Sequence, residues 1–503
     1  IQLEDLAQLR ERRPDAKLFL GGLALMLIFA LIAGFQVVDA FGGPALEVMF
    51  VLLALGLLVL GLGLMFFITT IPFERLVLLV MGVLFPRVTY FARRNVGRGQ
   101  LRNTLISLLV LFSGVLPSFL ATQMALDNAN YESSVKLDMG APVNVTSFAY
   151  WDRENTRDRI RPSFLVEELG TVQGLDQMVG VSYGYDSRAA DPVGLRSAAV
   201  RVVGLNGRLP DVLFSDMLEF AAGGPESFDV LLEDPTAVII SEGLAEQLVV
   251  EMGGVVNLSG EGLDHTIPAR VVGIARRVPG FDDIGRSRLD AMSGSTVLMS
   301  LDGFRSLVTK LGDPVPPADD PIFTQVLATL TSDADVQAIS QEMGERYGLD
   351  YGFWTRFLDI QLEFNAQSQA SQRVFLLVLT VISFTTAVFG VFAVIYVTIY
   401  ARRVEIGMLK AVGMLRRELT GMLVVEAIAM TLGAALAGIA AGASMGYVSF
   451  YGQRALQQLP TAFAIDTTVM PFIVIMVVLA SILGAAFSAR RIVKKQAVDI
   501  LRM

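Results

Sequence analysis

The sequence contains no cysteine and a single histidine, His265, among its 503 residues. Without cysteine the chain has no disulfide framework, no thiolate metal site and no cysteine nucleophile. One histidine excludes the usual zinc clusters and leaves little material for a Ser-His-Asp site. Charged residues are also scarce, at 18% of the chain, where soluble proteins have about a quarter. We therefore predict no catalytic residue and no metal site in this chain.

Lysine is rare, and none of the lysines follows a glycine. An ATPase phosphate loop needs the pattern G-x-x-x-x-G-K-[ST] to hold phosphates, so this chain has no such loop and no cofactor of its own is predicted. The segment Gly442-Ala-Ser-Met-Gly446 has the spacing of a hydrolase nucleophile elbow. That motif requires a strand-to-helix turn, and here it lies inside a long apolar run, so we interpret it as a chance match.

Long apolar runs are what the chain has in excess, with 53% hydrophobic residues and a mean hydropathy of +0.56. A bilayer core is crossed by about 20 apolar residues of helix. The runs that meet this length are Leu18–Val38, Val48–Ile71, Thr104–Leu126, Val374–Tyr400, Met422–Val448 and Val469–Phe487. They predict an α-helical membrane protein with six transmembrane helices. A seventh run, Leu76–Phe85, is too short to span and is expected at the membrane interface.

Lysine and arginine orient these spans. Half of the 40 basic residues lie in the segments 1–17, 72–104, 401–418 and 488–503. The short turns on the other side, Asp39–Glu47 and Ser449–Thr468, carry only Arg454. Because basic residues favour the cytoplasmic side, both termini are expected in the cytoplasm of a multi-pass protein of the cytoplasmic membrane. The segment 127–372 is then extracytoplasmic.

The outer segment has its own composition, with 37 acidic and 18 basic residues. It predicts one large α+β domain, in which short β-rich runs alternate with amphipathic helices. The predicted strands are Val200–Leu205, Ala237–Ser241, Ala269–Ile274, Thr296–Ser300 and Val326–Thr331, and the predicted helices are Ile160–Leu169, Leu244–Met252 and Val336–Tyr347. Its ends, Asp127–Lys136 and Gly352–Arg373, continue into the neighbouring spans with helical spacing. They are either a stalk that transmits motion or a passive linker.

The cytoplasmic segment 401–418 is basic and has apolar residues at helical spacing, so it predicts a short amphipathic helix at the membrane surface. A lipid-binding helix is one interpretation. The run Arg403-Val-Glu-Ile-Gly-Met-Leu-Lys-Ala-Val-Gly413 also resembles the signature of the FtsX-like permease domain of MacB-type and lipoprotein-releasing ABC permeases. The basic run Phe91–Thr104, the segment Ala237–Ile274 and the ending Ala489–Arg502 resemble further parts of that family.

This resemblance implies a type VII, mechanotransmission ABC permease with a MacB periplasmic core-like outer domain on a helical stalk. The segment 401–418 would be the coupling helix that docks on a separate ABC ATPase, expected as a homodimer that holds ATP and Mg. The implied ATPase-coupling residues are Arg403, Glu405, Gly407, Lys410, Ala411 and Gly413. Membrane lipids and a protein on the outer side are the other expected partners, and no feature predicts nucleic-acid binding.

One FtsX-like unit has four spans, so this chain has two additional spans in front of such a unit. These two spans resemble the helix pair that lies between the two units of ten-span permeases. We therefore expect the chain to be the C-terminal half of a longer protein with a second unit before Ile1. The predicted domains are 1–86 with the two extra spans, 87–126 with a basic elbow and a span, 127–372 outside, and 373–503 with three spans.

Two features inside the spans stand out. Gly438, Gly442 and Gly446 repeat at every fourth residue and predict close packing of another helix. Glu426 is an acid within a span, and intramembrane carboxylates are candidate functional groups. We expect it to pair with Arg416 or Arg417, with a proton relay as the alternative. Pro117 predicts a kink.

The leading functional hypothesis is a permease that couples ATP hydrolysis by a separate ATPase to movement of the outer domain, acting on a lipid, lipoprotein, peptide or drug. One alternative is transmembrane signalling that activates a cell-envelope hydrolase. Another is a sensor without an ATPase. The two extra spans favour transport, because signalling relatives resemble a single four-span unit.

Overall fold

The protein is described from a computed structural model. It describes residues 16–34, 57, 60–61, 72–86, 89–90, 100–151, 156–260, 266–281, 295–311, 319–348, 352–401, 403–456 and 460–493. The chain divides into two compact units. The first comprises residues 1–129, 370–454 and 461–503, and the second comprises residues 130–369 and 455–460. The predicted basic elbow, His265 and most of the C-terminal tail lie outside the described residues.

Long helices make up the described part of the first unit. They are α1 (Ala16–Gly34), α2 (72–84), α3 (Gln100–Met139), α4 (Leu358–Ala401), α5 (Arg403–Ala411), α6 (Arg416–Leu456) and α7 (Val469–Val493). The ends of α3 and α4 that lie beyond residues 129 and 370 belong to the second unit. A buried apolar cluster joins α3, α4, α5, α6 and α7, and small residues such as Ala434, Ala435 and Ala437 let the helices approach.

Two helices in the described part of the chain are long and apolar enough to cross a membrane, Arg416–Gly452 and Val469–Phe487. A shorter apolar helix covers Phe19–Ile28. The predicted third and fourth spans are helical within α3 and α4, and the first lies in α1 as far as Gly34. The second, Val48–Ile71, falls almost entirely outside the described residues. The count of six spans therefore stays a prediction.

Helix α2 covers most of the run that was expected at the membrane interface. Val77 and Leu78 are buried against Ile428 and Ala429 of α6, inside the predicted span Met422–Val448. The expectation of an interfacial segment at 76–85 rested on length alone. These contacts place two residues of α2 against α6, and the interfacial position of the segment stays a prediction.

The second unit is built on an 11-stranded sheet. Its strands are β1 (Val143–Ser147), β2 (Leu175–Ser182), β3 (Tyr185–Ala190), β4 (Ser197–Leu205), β5 (Glu219–Ala222), β6 (Ala237–Ser241), β7 (Val255–Ser259), β8 (Thr266–Arg277), β9 (Ser295–Ser300), β10 (Phe323–Leu330) and β11 (Phe353–Phe357). Ten strands follow the order β11-β1-β10-β2-β4-β3-β7-β8-β6-β9, and the eleventh, β5, pairs with β8. Because β9 also pairs with β4, the last six strands of this order close into a ring. The pairs β4–β9 and β6–β8 are parallel, and the other pairs are antiparallel.

Short helices cover this sheet. The α-helices are Pro162–Glu167, Ser227–Glu233, Glu242–Leu248, Leu301–Lys310 and Val336–Tyr347, and the 3-10 turns are Phe148–Tyr150, Leu169–Thr171 and Leu209–Asp211. Two apolar cores lie between helices and sheet, one containing Phe304 and Phe323 and the other Phe228 and Leu231. The predicted α+β domain therefore has the expected content of helices and strands.

Several predicted boundaries in this unit differ from the structure: the helix predicted over Ile160–Leu169 covers only Pro162–Glu167, and the strand predicted over Val326–Thr331 is Phe323–Leu330. The helix predicted over Leu244–Met252 ends at Leu248, because Val249 adopts a left-handed conformation with φ of 55°. The stretch 352–357, expected to be helical, contains the strand β11, and α4 begins only at Leu358. Alternation of apolar and polar residues is too short there to separate a strand from a helix turn, and pairing with β1 decides the outcome.

Asp234 stabilises the turn before β6. Its carboxylate accepts hydrogen bonds from the Thr236 hydroxyl at 2.7 Å, the Thr236 backbone N–H at 2.9 Å and Arg270 at 2.8 Å. The Thr236 hydroxyl, followed by Arg270, lowers the pKa of Asp234 to about 2. Hydrogen bonds to the charged form are the physical cause, since they favour the carboxylate over the acid.

Candidate coupling site and helix contacts

The predicted coupling segment 401–418 is a helix and a turn. Helix α5 begins two residues after α4 ends and finishes at Ala411. Gly413 then has φ of 104°, its N–H donates to the Lys410 carbonyl at 3.2 Å, and the Met414 N–H donates to the Leu409 carbonyl at 3.1 Å. This pair of bonds is a Schellman helix ending, in which glycine supplies the left-handed conformation.

The turn leads directly into α6. The Leu415 N–H donates to the Glu418 carboxylate at 3.2 Å, which satisfies a backbone donor at the start of that helix. A single helix over 401–418 was therefore wrong, because Gly413 ends the first helix and Arg416 begins the second. The glycine at 413 has a local structural reason that does not depend on a partner.

Helix α5 turns an apolar stripe outward. Val404, Met408 and Val412 are 48%, 51% and 89% exposed, and they are spaced by four residues on one side. Ile406 is only 3% exposed and packs into the core of the first unit. Large apolar side chains presented together on a surface mark a contact with lipid or with another protein.

The predicted coupling residues do not share one accessible surface. Glu405, Ala411 and Gly413 are exposed and Lys410 is half-buried, whereas Gly407 is buried beside Ile406. Gly407 is therefore covered by the chain itself. The side chain of Arg403 lies outside the described part of the chain. The outward side of the segment is apolar, with the exposed Glu405 next to it.

The glycine stripe of α6 faces α3. A methyl group at Gly442 would lie 2.3 Å from the Val115 carbonyl oxygen, and one at Gly446 would lie 2.8 Å from the Thr122 Cβ. Gly438 is buried on the same stripe, and its carbonyl carbon lies 3.8 Å from the position of a methyl group at Gly114. The backbones of α3 and α6 touch along this line, an arrangement that only glycine permits.

The accidental hydrolase motif lies in the same stripe. Ser444 is in the middle of α6 and its hydroxyl donates to the Ala440 carbonyl at 2.6 Å. A nucleophile elbow needs a strained turn that projects the serine away from the backbone. The helical geometry offers none.

Glu426 is not placed beside the arginines that were expected to pair with it. Its side chain is 4% exposed, whereas Arg416 and Arg417 are exposed. Nine or ten residues of helix separate them, which corresponds to about 14 Å of rise. The expected ion pair is therefore wrong, because a helix keeps residues at this spacing far apart.

Sequence reasoning missed a second acid in this region, Glu74 of α2. A methyl group at Gly433 of α6 would lie 2.8 Å from the Glu74 Cγ and 2.9 Å from its Cα. Gly433 follows Glu426 by seven residues, so both positions lie on nearly the same side of α6.

Buried hydroxyls hold two further helices together. The side chains of Thr431 and Ser481 are within hydrogen-bond distance of each other, and they join α6 to α7. One of the two hydroxyls donates to the other, and the accepting hydroxyl donates to a carbonyl of its own helix, Ala427 for Thr431 or Val477 for Ser481. No group of three or more metal-ligating side chains occurs among the residues that the structure describes.

Comparisons with known proteins match two family models to the chain. The model of the MacB-like periplasmic core domain matches residues 104–346, and the model of the FtsX-like permease C-terminal domain matches residues 377–497. The chain is an FtsX/MacB-type permease. The family gives the chain an ABC permease-type role as the membrane subunit, and it makes the second unit a periplasmic domain.

Three solved structures align with the chain. The periplasmic region of MacB from Actinobacillus actinomycetemcomitans is 10% identical with a TM-score of 0.32, over 46% of this chain and 95% of that one. The extracellular domain of the ABC-type transporter YknZ from Gram-positive bacteria is 15% identical with a TM-score of 0.28, over 42% and 98%. A permease domain from Porphyromonas gingivalis is 14% identical with a TM-score of 0.27, over 44% and 89%. No curated protein matches the chain.

Proposed function

We propose that this permease couples ATP hydrolysis on a separate ATPase to movement of its periplasmic domain, and that it acts on a lipid, lipoprotein, peptide or drug. The ATPase, a homodimer in this proposal, binds ATP and Mg²⁺. Helix α5 receives the partner, and α4 and α6 carry the motion away from it. The observation that carries the proposal is the outward apolar stripe of α5.

The connections of α5 suit it to transmit force. It begins two residues after α4 ends and reaches α6 through a turn closed by two backbone hydrogen bonds. Helix α4 has 44 residues, from Leu358 to Ala401, and is therefore about 66 Å long. A displacement of α5 is passed on to α6, because the short hydrogen-bonded turn between them leaves few free dihedral angles, and α4 ends only two residues before α5 in the sequence.

The stripe suits a protein partner. Val404, Met408 and Val412 offer three apolar anchors, and Glu405 is exposed next to them. Apolar anchors with a polar rim are the usual composition of a protein interface. Membership of an ABC permease family supports an ATPase as the occupant, and lipid binding by the same stripe is the competing outcome of the test.

The test places a charge in the middle of the stripe. Met408→Asp is compared with Leu195→Asp, the same change of an apolar to an acidic side chain at a residue that is 84% exposed in the second unit. An unpaired carboxylate buried in an interface is strongly unfavourable. Binding of the ATPase should weaken by at least ~30-fold, which is the effect of losing a hot spot of about 2 kcal/mol.

The measurement is pull-down of the co-expressed ATPase, together with its ATP turnover in nanodiscs that contain each permease variant. We expect Leu195→Asp to behave as the wild type. If Met408→Asp binds and stimulates the ATPase normally, the stripe faces lipid and the coupling proposal is wrong. An ATPase that never associates with the wild-type permease leads to the same conclusion.

A further inference from the structure

Both tryptophans of the chain lie in one exposed aromatic patch of the periplasmic unit. The patch consists of Phe148, Tyr150, Trp151 and Trp354, which are 38%, 48%, 56% and 50% exposed. Aromatic side chains usually bury most of their surface on folding, and exposed apolar patches mark binding sites. Four half-exposed rings at one place therefore indicate a binding site.

The rings form one continuous surface. The ring centroids of Trp151 and Trp354 are 5.7 Å apart and their planes are tilted by 37°. Tyr150 meets Trp151 edge-on at 5.6 Å, and Phe148 lies 6.5 Å from Trp151. Two neighbouring indoles thus make a shallow platform, with the tyrosine and the phenylalanine around Trp151.

The backbone under the platform is fixed. The Ser147 side chain accepts from the Ala149 N–H at 3.1 Å and caps the turn that carries three of the rings. The Phe148 N–H donates to the Gly352 carbonyl at 2.9 Å. Trp354 lies in β11, where it pairs with Thr146 of β1. A site that is already ordered loses little entropy on binding.

A polar pair borders the platform. The Arg356 guanidinium lies 5.6 Å from the centroid of the Trp354 ring and forms an ion pair with Asp138. The Arg356 side chain is 19% exposed and that of Asp138 is 55% exposed. The pair offers both hydrogen-bond donors and acceptors next to an aromatic face, and its net charge is zero.

We propose that this aromatic patch binds an uncharged glycan chain of the cell envelope. A sugar ring presents an apolar face of C–H groups, which can stack on the negative face of an indole, while its hydroxyls meet the polar pair. A cationic ligand is disfavoured because Arg356 already lies over Trp354. A polyanion is disfavoured because residues 127–372 carry 37 acids and 18 bases. The proposal rests on the periplasmic location of this unit and is independent of ATPase coupling.

The two tryptophans also provide the measurement. Because both belong to the patch, intrinsic tryptophan fluorescence of the full chain reports on this site without a label. The protein is placed in nanodiscs, free of detergents with sugar headgroups, and titrated with chitotetraose and with cellotetraose. We expect a saturable change in emission with at least one of the two.

Variants separate a stacking site from an indirect effect. Trp151→Ala and Trp354→Ala should each weaken sugar binding roughly tenfold, which corresponds to about 1.4 kcal/mol. Binding to these variants is measured by the fluorescence of the remaining tryptophan or by isothermal titration calorimetry. Tyr150→Ala should weaken it less, and Leu195→Ala, at a residue 84% exposed elsewhere in the unit, should not change it. Circular dichroism checks that each variant is folded.

The remaining outcomes overturn the proposal. One such outcome is an emission that neither sugar changes at millimolar concentration, and another is sugar binding that persists in the variant without both tryptophans. A lysine- and leucine-rich peptide that binds the patch when the sugars do not would identify it as a protein-docking surface. Normal ATPase coupling in all these variants is expected, so failure here leaves the coupling proposal standing.

Discussion

Replacement of Gly442 by alanine tests whether α3 and α6 depend on direct backbone contact. The new methyl group would lie 2.3 Å from the Val115 carbonyl oxygen, 3.0 Å from the Phe119 nitrogen and 3.1 Å from the Ser118 Cβ. Two of these three neighbours are backbone atoms, so no side-chain rotation can make room. The helices must separate, and the contacts along the whole stripe must loosen with them.

The size of the effect follows from these distances. Ordinary contacts between non-bonded heavy atoms are about 3.5 Å, so the backbones must move apart by roughly 1 Å. Overpacking of this kind lowers the free energy of unfolding by about 1–3 kcal/mol. A contact this close to backbone atoms should give a loss at the upper end of that range. Replacing glycine by alanine within a helix by itself raises the free energy of unfolding by about 0.5–1 kcal/mol. The net loss in free energy of unfolding should be about 2 kcal/mol.

The same helix provides the matched control. Gly452 has no atom within 4 Å of the position that a methyl group would take. Gly452→Ala should therefore raise the free energy of unfolding by up to ~1 kcal/mol, as alanine does in an open helix position. The two variants make the same chemical change in α6 and should shift stability in opposite directions.

The assay is unfolding of the purified protein in mixed micelles by increasing sodium dodecyl sulfate, followed by circular dichroism. Gly114→Ala is a second control, because its methyl group would lie 3.4 Å from the Ala435 carbonyl oxygen. It should be close to neutral. If Gly442→Ala is as stable as Gly452→Ala, the close approach of α3 and α6 is not present in the membrane and the reasoning fails.

Three further predictions concern other parts of the chain. Gly413→Ala should destabilise the end of α5 by about 1–2 kcal/mol, because φ of 104° is unfavourable for a side chain; undiminished ATPase binding in pull-downs would count against the turn as a coupling element. Single cysteines at Leu195 and Val412, which are 84% and 89% exposed, should react with a membrane-impermeant maleimide from opposite faces, and labelling from one face would contradict the predicted topology. Asp234 has a folded pKa of about 2, below its ordinary value, so its stabilising effect is present above pH ~4 and is lost as the pH falls toward ~2. Asp234→Asn should therefore lower the free energy of unfolding at pH 7 by roughly 1 kcal/mol and flatten the profile of stability in that pH range; an unchanged profile of tryptophan fluorescence against pH would exclude this role.

Local sequence patterns predicted one helix and one strand of the second unit with the ends that the structure shows. The helix Val336–Tyr347 has the predicted ends, because an amphipathic repeat follows Asp335, whose carboxylate accepts from the Ala338 N–H at 3.1 Å. The strand Ala237–Ser241 is equally clear, since five buried residues follow a turn. Interactions between side chains within a few residues of one another determine such elements, so the sequence alone is enough to predict them.

The segment 401–418 shows what local sequence patterns cannot predict. Its apolar repeat correctly predicted a helix, but the same repeat could not tell which side would be buried, and Gly407 was assigned to the wrong one. Burial of Ile406 and Gly407 depends on the packing of α5 against the core of the first unit. Gly413 likewise looked like a helix residue, and only its backbone conformation identified the end of the helix.

The sequence by itself determined that this chain is a membrane permease, because long apolar runs, the basic segments and the signature at 403–413 are all local features. Only the tertiary structure decided which distant residues meet. Glu74 reaches Gly433 through the packing of α2 on α6, and Trp151 reaches Trp354 through the pairing of β1 with β11. Residues hundreds of positions apart are joined by the burial of whole helix and strand faces, and no short stretch of sequence encodes that outcome.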